Sequence, residues 1–169
     1  MPKITALLHT HNDAQRIGRA LESLRAVDEI LVVDHGSTDD TVQVARHHGA
    51  NIKEGVPGVN PGVYVIDAHH DWIFCLLPNE SLSEGLEASL FEWKERVDEP
   101  LNQAEKDAQS FRNATYSVTV REETEDGWKT APAETRLVNR KQINWTEAIP
   151  PNNGESTLLP GDVLRFSKP

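Results

Sequence analysis

The chain has 169 residues, 37% of them apolar and 26% charged, with a net charge of −10 and a single cysteine, Cys75. That length suits one compact domain with a proper core. The acidity argues against nucleic acid as a partner, no apolar run approaches the roughly 20 residues of a membrane span, and a lone cysteine rules out a disulfide framework.

In chain order, Ile4 to Leu8 reads as a buried strand. Asn12 with Gln15 suggests a capping box, and Ile17, Ala20, Leu21 and Leu24 then recur at helical spacing. Ile30 to Val33 is continuous and β-branched, as a parallel strand covered on both faces should be. The loop Asp34-His-Gly-Ser-Thr-Asp-Asp-Thr41 leads to a second helix ending near Gly49, and a short strand follows at Asn51 to Lys53. This alternation predicts right-handed βαβ units on a parallel sheet.

Glu54 to Gly62 is punctuated by glycine and proline and reads as a loop, and Tyr64 to Asp67 is too short to assign. Trp72 to Leu77 is the next buried strand, and Ser81 to Val97 a helix carrying Leu82, Leu86, Leu90 and Trp93. Glu99 to Arg112 is polar throughout. Tyr116, Val118 and Val120 alternate onto one face, and a turn at Glu125-Asp-Gly127 pairs that strand with one through Arg136 to Arg140. Asp162 to Phe166 reads as a final edge strand. The expected fold is α/β: a mixed, mainly parallel sheet flanked by helices, with a smaller β-rich C-terminal part. Residues 1–98 would form a nucleotide-binding half of one domain and residues 113–169 a reduced acceptor-side half.

Ligands of open parallel sheets bind outside the carboxyl ends of the strands. His9-Thr-His-Asn-Asp13, Asp34-His-Gly-Ser-Thr-Asp-Asp40 and Pro78-Asn-Glu80 all fall there. A carboxylate such as Asp34 can accept from a base imide or a ribose hydroxyl, beside a tight turn at Gly36 and Ser37. The plainer reading makes Asn12 a helix cap, Ser37 or Thr38 the cap of the next helix, and Asp39 and Asp40 complements to its dipole.

Thr10-His-Asn-Asp13, the helix ending Leu21-Glu-Ser-Leu24, and Val33-Asp-His-Gly-Ser-Thr-Asp39 together resemble the start of the family 2 glycosyltransferases of the GT-A fold. That family shows Thr-x-Asn-Glu after its first strand and Val-Asp-Ser-Gly-Ser-Thr-Asp after its second. The resemblance implies that Thr10, His11, Asn12, Asp13, Asp34 and Ser37 line the pocket of a UDP-type nucleoside diphosphate sugar. It implies no catalytic residue. Where the family carries an Asp-x-Asp metal element, this chain reads Leu77-Pro78-Asn79, with Glu80 the first acid. Mg²⁺ or Mn²⁺ would therefore be held only if Asn79 and Glu80 still served as ligands, a thin donor set.

Arg136-Leu-Val-Asn-Arg140 followed by Trp145 resembles a later family segment, which makes Arg136 and Arg140 candidates for the phosphates, with Arg112 and Lys141 as further cations. No His-Glu pair follows; Ile149 runs into Pro150 and Pro151.

Three readings stay open. The first is a glycosyltransferase-like protein that transfers sugar if active. The second is a non-catalytic nucleotide-binding or interaction module, and the third an α/β protein with a zinc site of His9, His11 and His35. An exposed Trp93 or Trp128 would offer a surface for homo-oligomers, although burial is the commoner fate of tryptophan. The single cysteine, and an N-terminus too short and strand-like for a signal peptide, lead to a cytoplasmic expectation.

Overall fold

A computed structural model describes residues 1–97 and 114–169. The expected polar stretch Glu99 to Arg112, and with it the cation Arg112, lies outside the described residues. The elements run β1 (Ile4–Thr10), α1 (Ile17–Glu22), β2 (Glu29–Asp34), α2 (Thr41–His47), β3 (Asn51–Glu54), a 3-10 helix (Pro61–Asp67), β4 (Trp72–Cys75), β5 (Glu80–Leu82), α3 (Glu84–Arg96), β6 (Thr115–Thr124), β7 (Gly127–Asn139) and β8 (Thr157–Arg165). They build one 8-stranded sheet in the order β3-β2-β1-β4-β7-β6-β8-β5. No helix among the described residues is long and apolar enough to cross a membrane.

The first four strands are parallel, with Thr10 opposite Asp34 and Leu7 opposite Cys75. Their carboxyl ends consequently share one rim, where the loops after β1, β2 and β4 meet. Successive side chains of these strands serve opposite faces. Ala6, Leu8 and Val32 join the helices in the larger core, while Leu7, Leu31 and Val33 pack with Tyr64 and Trp145 in the smaller one. Burial on both faces explains why β1 and β2 are apolar without alternation.

β7 turns the sheet mixed by pairing antiparallel to β4. It forms a long hairpin with β6, closed by Thr124 opposite Gly127 as the turn sequence predicts. Gly127 sits at φ 115°, in the left-handed half of backbone space that glycine adopts without strain.

Several expectations are corrected. Asn12 does not open α1: the helix begins at Ile17 and has no side-chain cap. Thr38 does not cap α2; Asp39 accepts from the Thr41 N–H at 3.0 Å and also from the Thr41 hydroxyl. The strand expected through Leu77 stops at Cys75, and the expected start of the next helix is the separate strand β5. α3 starts only at Glu84, after Ser83, whose hydroxyl accepts from the Leu86 N–H at 3.2 Å. β8 is no edge strand, because β5 covers it. Trp93 is buried, against Trp72 and Tyr116, and Trp128 is exposed.

Candidate functional site

The loops after β1 and β2 are knitted together by the motif residues themselves. Asn12 adopts a left-handed φ of 52°, a conformation asparagine tolerates better than most residues. Its N–H donates to the Ser37 hydroxyl at 2.9 Å, and its side-chain oxygen accepts from the Thr38 N–H at 2.8 Å. Asp13 accepts from the Thr10 hydroxyl at 2.7 Å and the His11 N–H at 3.0 Å, while its own N–H donates to the Thr41 hydroxyl at 2.8 Å. Thr10, Asn12, Asp13 and Ser37 thus hold the rim in shape.

Asp34 ends β2 and is only 8% exposed. One carboxylate oxygen accepts from the Ser37 N–H at 3.1 Å. The other, Oδ1, is buried with no hydrogen-bond partner. A buried acceptor left unpaired costs about 1–3 kcal/mol, so it marks a place where a donor belongs.

At the same rim, Nδ1 of His9 and Nε2 of His35 lie 2.8 Å apart, with Tyr64 edge-on to both rings. A Cβ on Gly55 would come within 2.5 Å of Nδ1 of His35, so the backbone there is pressed flat against the ring. Burial, reinforced by the nearby His35, pushes the pKa of His9 down to about 4. Nitrogens aimed at each other over this distance share a proton. Tetrahedral zinc, at its usual bond lengths, would hold them roughly 3.3 Å apart. His11 turns away, its Nδ1 against the His35 carbonyl at 2.7 Å. Among the described residues no three His, Cys, Asp or Glu side chains form a group that could hold a metal.

A cavity of about 360 Å³ opens at this rim, lined by His9, Thr10, His11, Asp13, Arg16, His35, Pro78 and Asn79. The loop after β4 therefore does reach the site. Its expected metal ligands do not serve. Glu80 is fully buried, hydrogen-bonded twice to Arg136 at 2.7 and 2.8 Å, and accepts from the Leu77 N–H at 2.8 Å. Burial pushes the carboxyl upward, but the hydrogen bonds and charge of Arg136 outweigh it and leave the pKa below the ordinary carboxylate value. Asn79 faces the cavity, with its side-chain N–H₂ donating to the Phe166 carbonyl at 3.3 Å. A neutral amide and a carboxylate already paired inside the protein do not fit a divalent cation.

The phosphate candidates are likewise committed elsewhere. Arg136 is fully buried, and beyond Glu80 it donates to the Cys75 carbonyl at 3.1 Å and to Glu134 at 3.2 Å. Arg140 lies by the start of β4, at the opposite end of the sheet, donating to the Val65 and Ala68 carbonyls at 2.6 and 2.8 Å. Lys141 pairs there with Asp71 at 3.1 Å. Among the described residues, the arginine that does line the cavity is Arg16, which the motif reading missed. The only available signal was an arginine three residues past Asp13 of the β1 motif.

The family-model match falls on the β1 and β2 side of this rim. Residues 5–60 match the family model described as Glycosyl transferase family 2. A protein of Rickettsia felis named as an uncharacterized glycosyltransferase is 40% identical over 91 residues, covering 52% of this chain and 32% of its own. Its counterpart in Rickettsia prowazekii is 35% identical over 91 residues, covering 52% of this chain and 31% of its own. The match thus spans about a third of the length of these curated relatives. Among solved structures, S. aureus TarS is 18% identical with a TM-score of 0.48, covering 77% of this chain and 23% of that one. Glucosyl-3-phosphoglycerate synthase from Mycobacterium tuberculosis, in complex with Mn²⁺, UDP-glucose and phosphoglyceric acid, is 20% identical with a TM-score of 0.46, covering 74% and 45%. The chain is a glycosyltransferase-like protein built on a mixed α/β sheet, with a match to the family 2 model confined to its first third.

Proposed function

We propose that the rim of β1, β2 and β4 binds the nucleoside diphosphate part of a UDP-type sugar donor. The observation that carries this reading is the buried, unpaired Oδ1 of Asp34, whose neighbours Thr10, opposite it in the sheet, and His35 line the rim cavity. A base imide N–H or a ribose hydroxyl supplies the donor that this oxygen lacks. Residues 5–60, which match the family model, contain that carboxylate and both loops that hold it. The M. tuberculosis neighbour was solved with UDP-glucose, which supports the choice of nucleotide.

A second reading, a nucleotide-binding module without transfer activity, is favoured by one feature. The loop after β4 brings Pro78 and Asn79 to the cavity, and the first carboxylate beyond it, Glu80 of β5, is buried. Calorimetric titration of UDP into the protein, with and without Mn²⁺, tests nucleotide binding, and Asp34→Ala tests the site. Binding by the parent protein that falls at least about tenfold in the variant is expected, as for loss of a hydrogen bond to a charged group. No heat from folded protein in either condition would overturn the proposal.

A further inference from the structure

The rim holds two neighbouring cavities, and one side chain lines both. The first, of about 360 Å³, lies over the strand ends and is walled by the three histidines, Pro78 and Asn79. The second, of about 440 Å³, lies over the α1 and α2 approaches, among Asn12, Ala14, Gln15, Asp39 and Asp40. Arg16 belongs to both linings. Its ion pair with Asp13 is made through the buried Nε and is long, at 3.4 Å, with no hydrogen bond formed by that nitrogen. The guanidinium is neither locked in the core, as in Arg136, nor freely solvated, since its side chain is 41% exposed.

We propose that Arg16 is the diphosphate-binding residue of this site, acting in place of a divalent cation, with the two halves of the donor lying in the two cavities it divides. The inference rests on the nucleotide reading above and specifies how that site meets its charge. A diphosphate brings anionic oxygens into a protein whose net charge is already −10. Some cation must face them, and among the described residues no three His, Cys, Asp or Glu side chains are grouped to hold a metal, while Asn79 and the paired Glu80 make a poor ligand set. A guanidinium presents planar N–H pairs that match phosphate oxygens, and it stays charged at any working pH. The second cavity, with the acids Asp39 and Asp40, repels phosphate and suits hydroxyl groups, which donate to carboxylates. The diphosphate then lies at the boundary between the cavities, where Arg16 stands.

The decisive experiment titrates UDP-glucose and, separately, uridine into the parent protein, Arg16→Gln and Arg16→Lys. Each titration is run once with EDTA and once with Mn²⁺, with thermal melting to confirm that the variants fold. The expected result is UDP-glucose binding by the parent protein in EDTA that Mn²⁺ does not tighten. Arg16→Gln should weaken UDP-glucose by about tenfold or more while leaving uridine unchanged, and Arg16→Lys should recover part of the loss. Equal losses for both ligands would overturn the inference, as would parent binding that requires Mn²⁺; in both cases the nucleotide site itself would stand. Absence of binding by either ligand to the parent protein would remove the nucleotide reading and this inference with it. If Arg16→Gln does not fold, Arg16→Met, which keeps the apolar stem, takes its place with the same expected and overturning results.

Discussion

The two ends of the rim handle charge in opposite ways. Around β1 and β2, polar side chains brace the loops, yet leave Oδ1 of Asp34 and Nε of Arg16 without hydrogen-bond partners. Around β4, β5, β7 and β8, the charges consume one another. Glu80 takes Arg136 and Arg165, Glu134 bridges the same two arginines, and Glu122 holds Arg165 at 2.7 Å. The contrast teaches that a charged residue near a strand end is informative only once its partners are known. Glu80 and Arg136 are close in space to the site and chemically closed to it.

The largest effect should come from breaking the closed half. Arg136→Met leaves Glu80 charged, buried and without its main partner, and should cost about 3–5 kcal/mol, read as a lower midpoint in urea denaturation. A loss below about 1 kcal/mol would mean that Arg165, already bound to Glu80, and entering water compensate for the missing guanidinium.

The open half should show its character in acid. His9 has a folded pKa of about 4 against an ordinary 6.5, so between those values the unfolded chain binds the extra proton. Stability from this group is complete above about pH 6.5 and is lost as pH falls toward 4, by roughly 2–3 kcal/mol. Denaturation curves across that range should show the slope, and His9→Asn should flatten it. Glu80 adds to the loss only at lower pH: its folded pKa is depressed, so its contribution is present above the ordinary glutamate value and disappears as pH falls below it.

The smallest change sharpens the join between the halves. The Ser83 hydroxyl caps α3 and also accepts from the Asp162 N–H of β8 at 2.9 Å. Ser83→Ala should cost about 1 kcal/mol in thermal or urea melting without altering UDP binding.

The strands β1 and β2 were legible because continuous apolar, β-branched runs bounded by polar clusters have few other uses. The hairpin was legible from Glu125-Asp-Gly127 and the alternation before it. The start of α1 was not. Asn12 looks like a local cap, but its side-chain partner is the Thr38 N–H, 26 residues away. β5 and the interior place of β8 were equally hidden, because a three-residue strand has no period to read and its pairing to β8 is long-range.

Sequence alone determined the βα order of the first half, the family resemblance, and the meeting of the three polar clusters at one rim. Those follow from local periodicity and from the rule that parallel strands deliver their following loops to the same edge. Tertiary structure alone decided which polar groups remain available there. Glu80 and Arg136 are 56 residues apart, and pairing across that distance removes both from the site. Arg140 is carried to the far end because β7 runs antiparallel to β4. Arg16, set in an unremarkable lead-in to a helix, acquires its place only when two cavities form on either side of it. Availability of a charge is a property of its surroundings, and those are assembled by contacts that no local window contains.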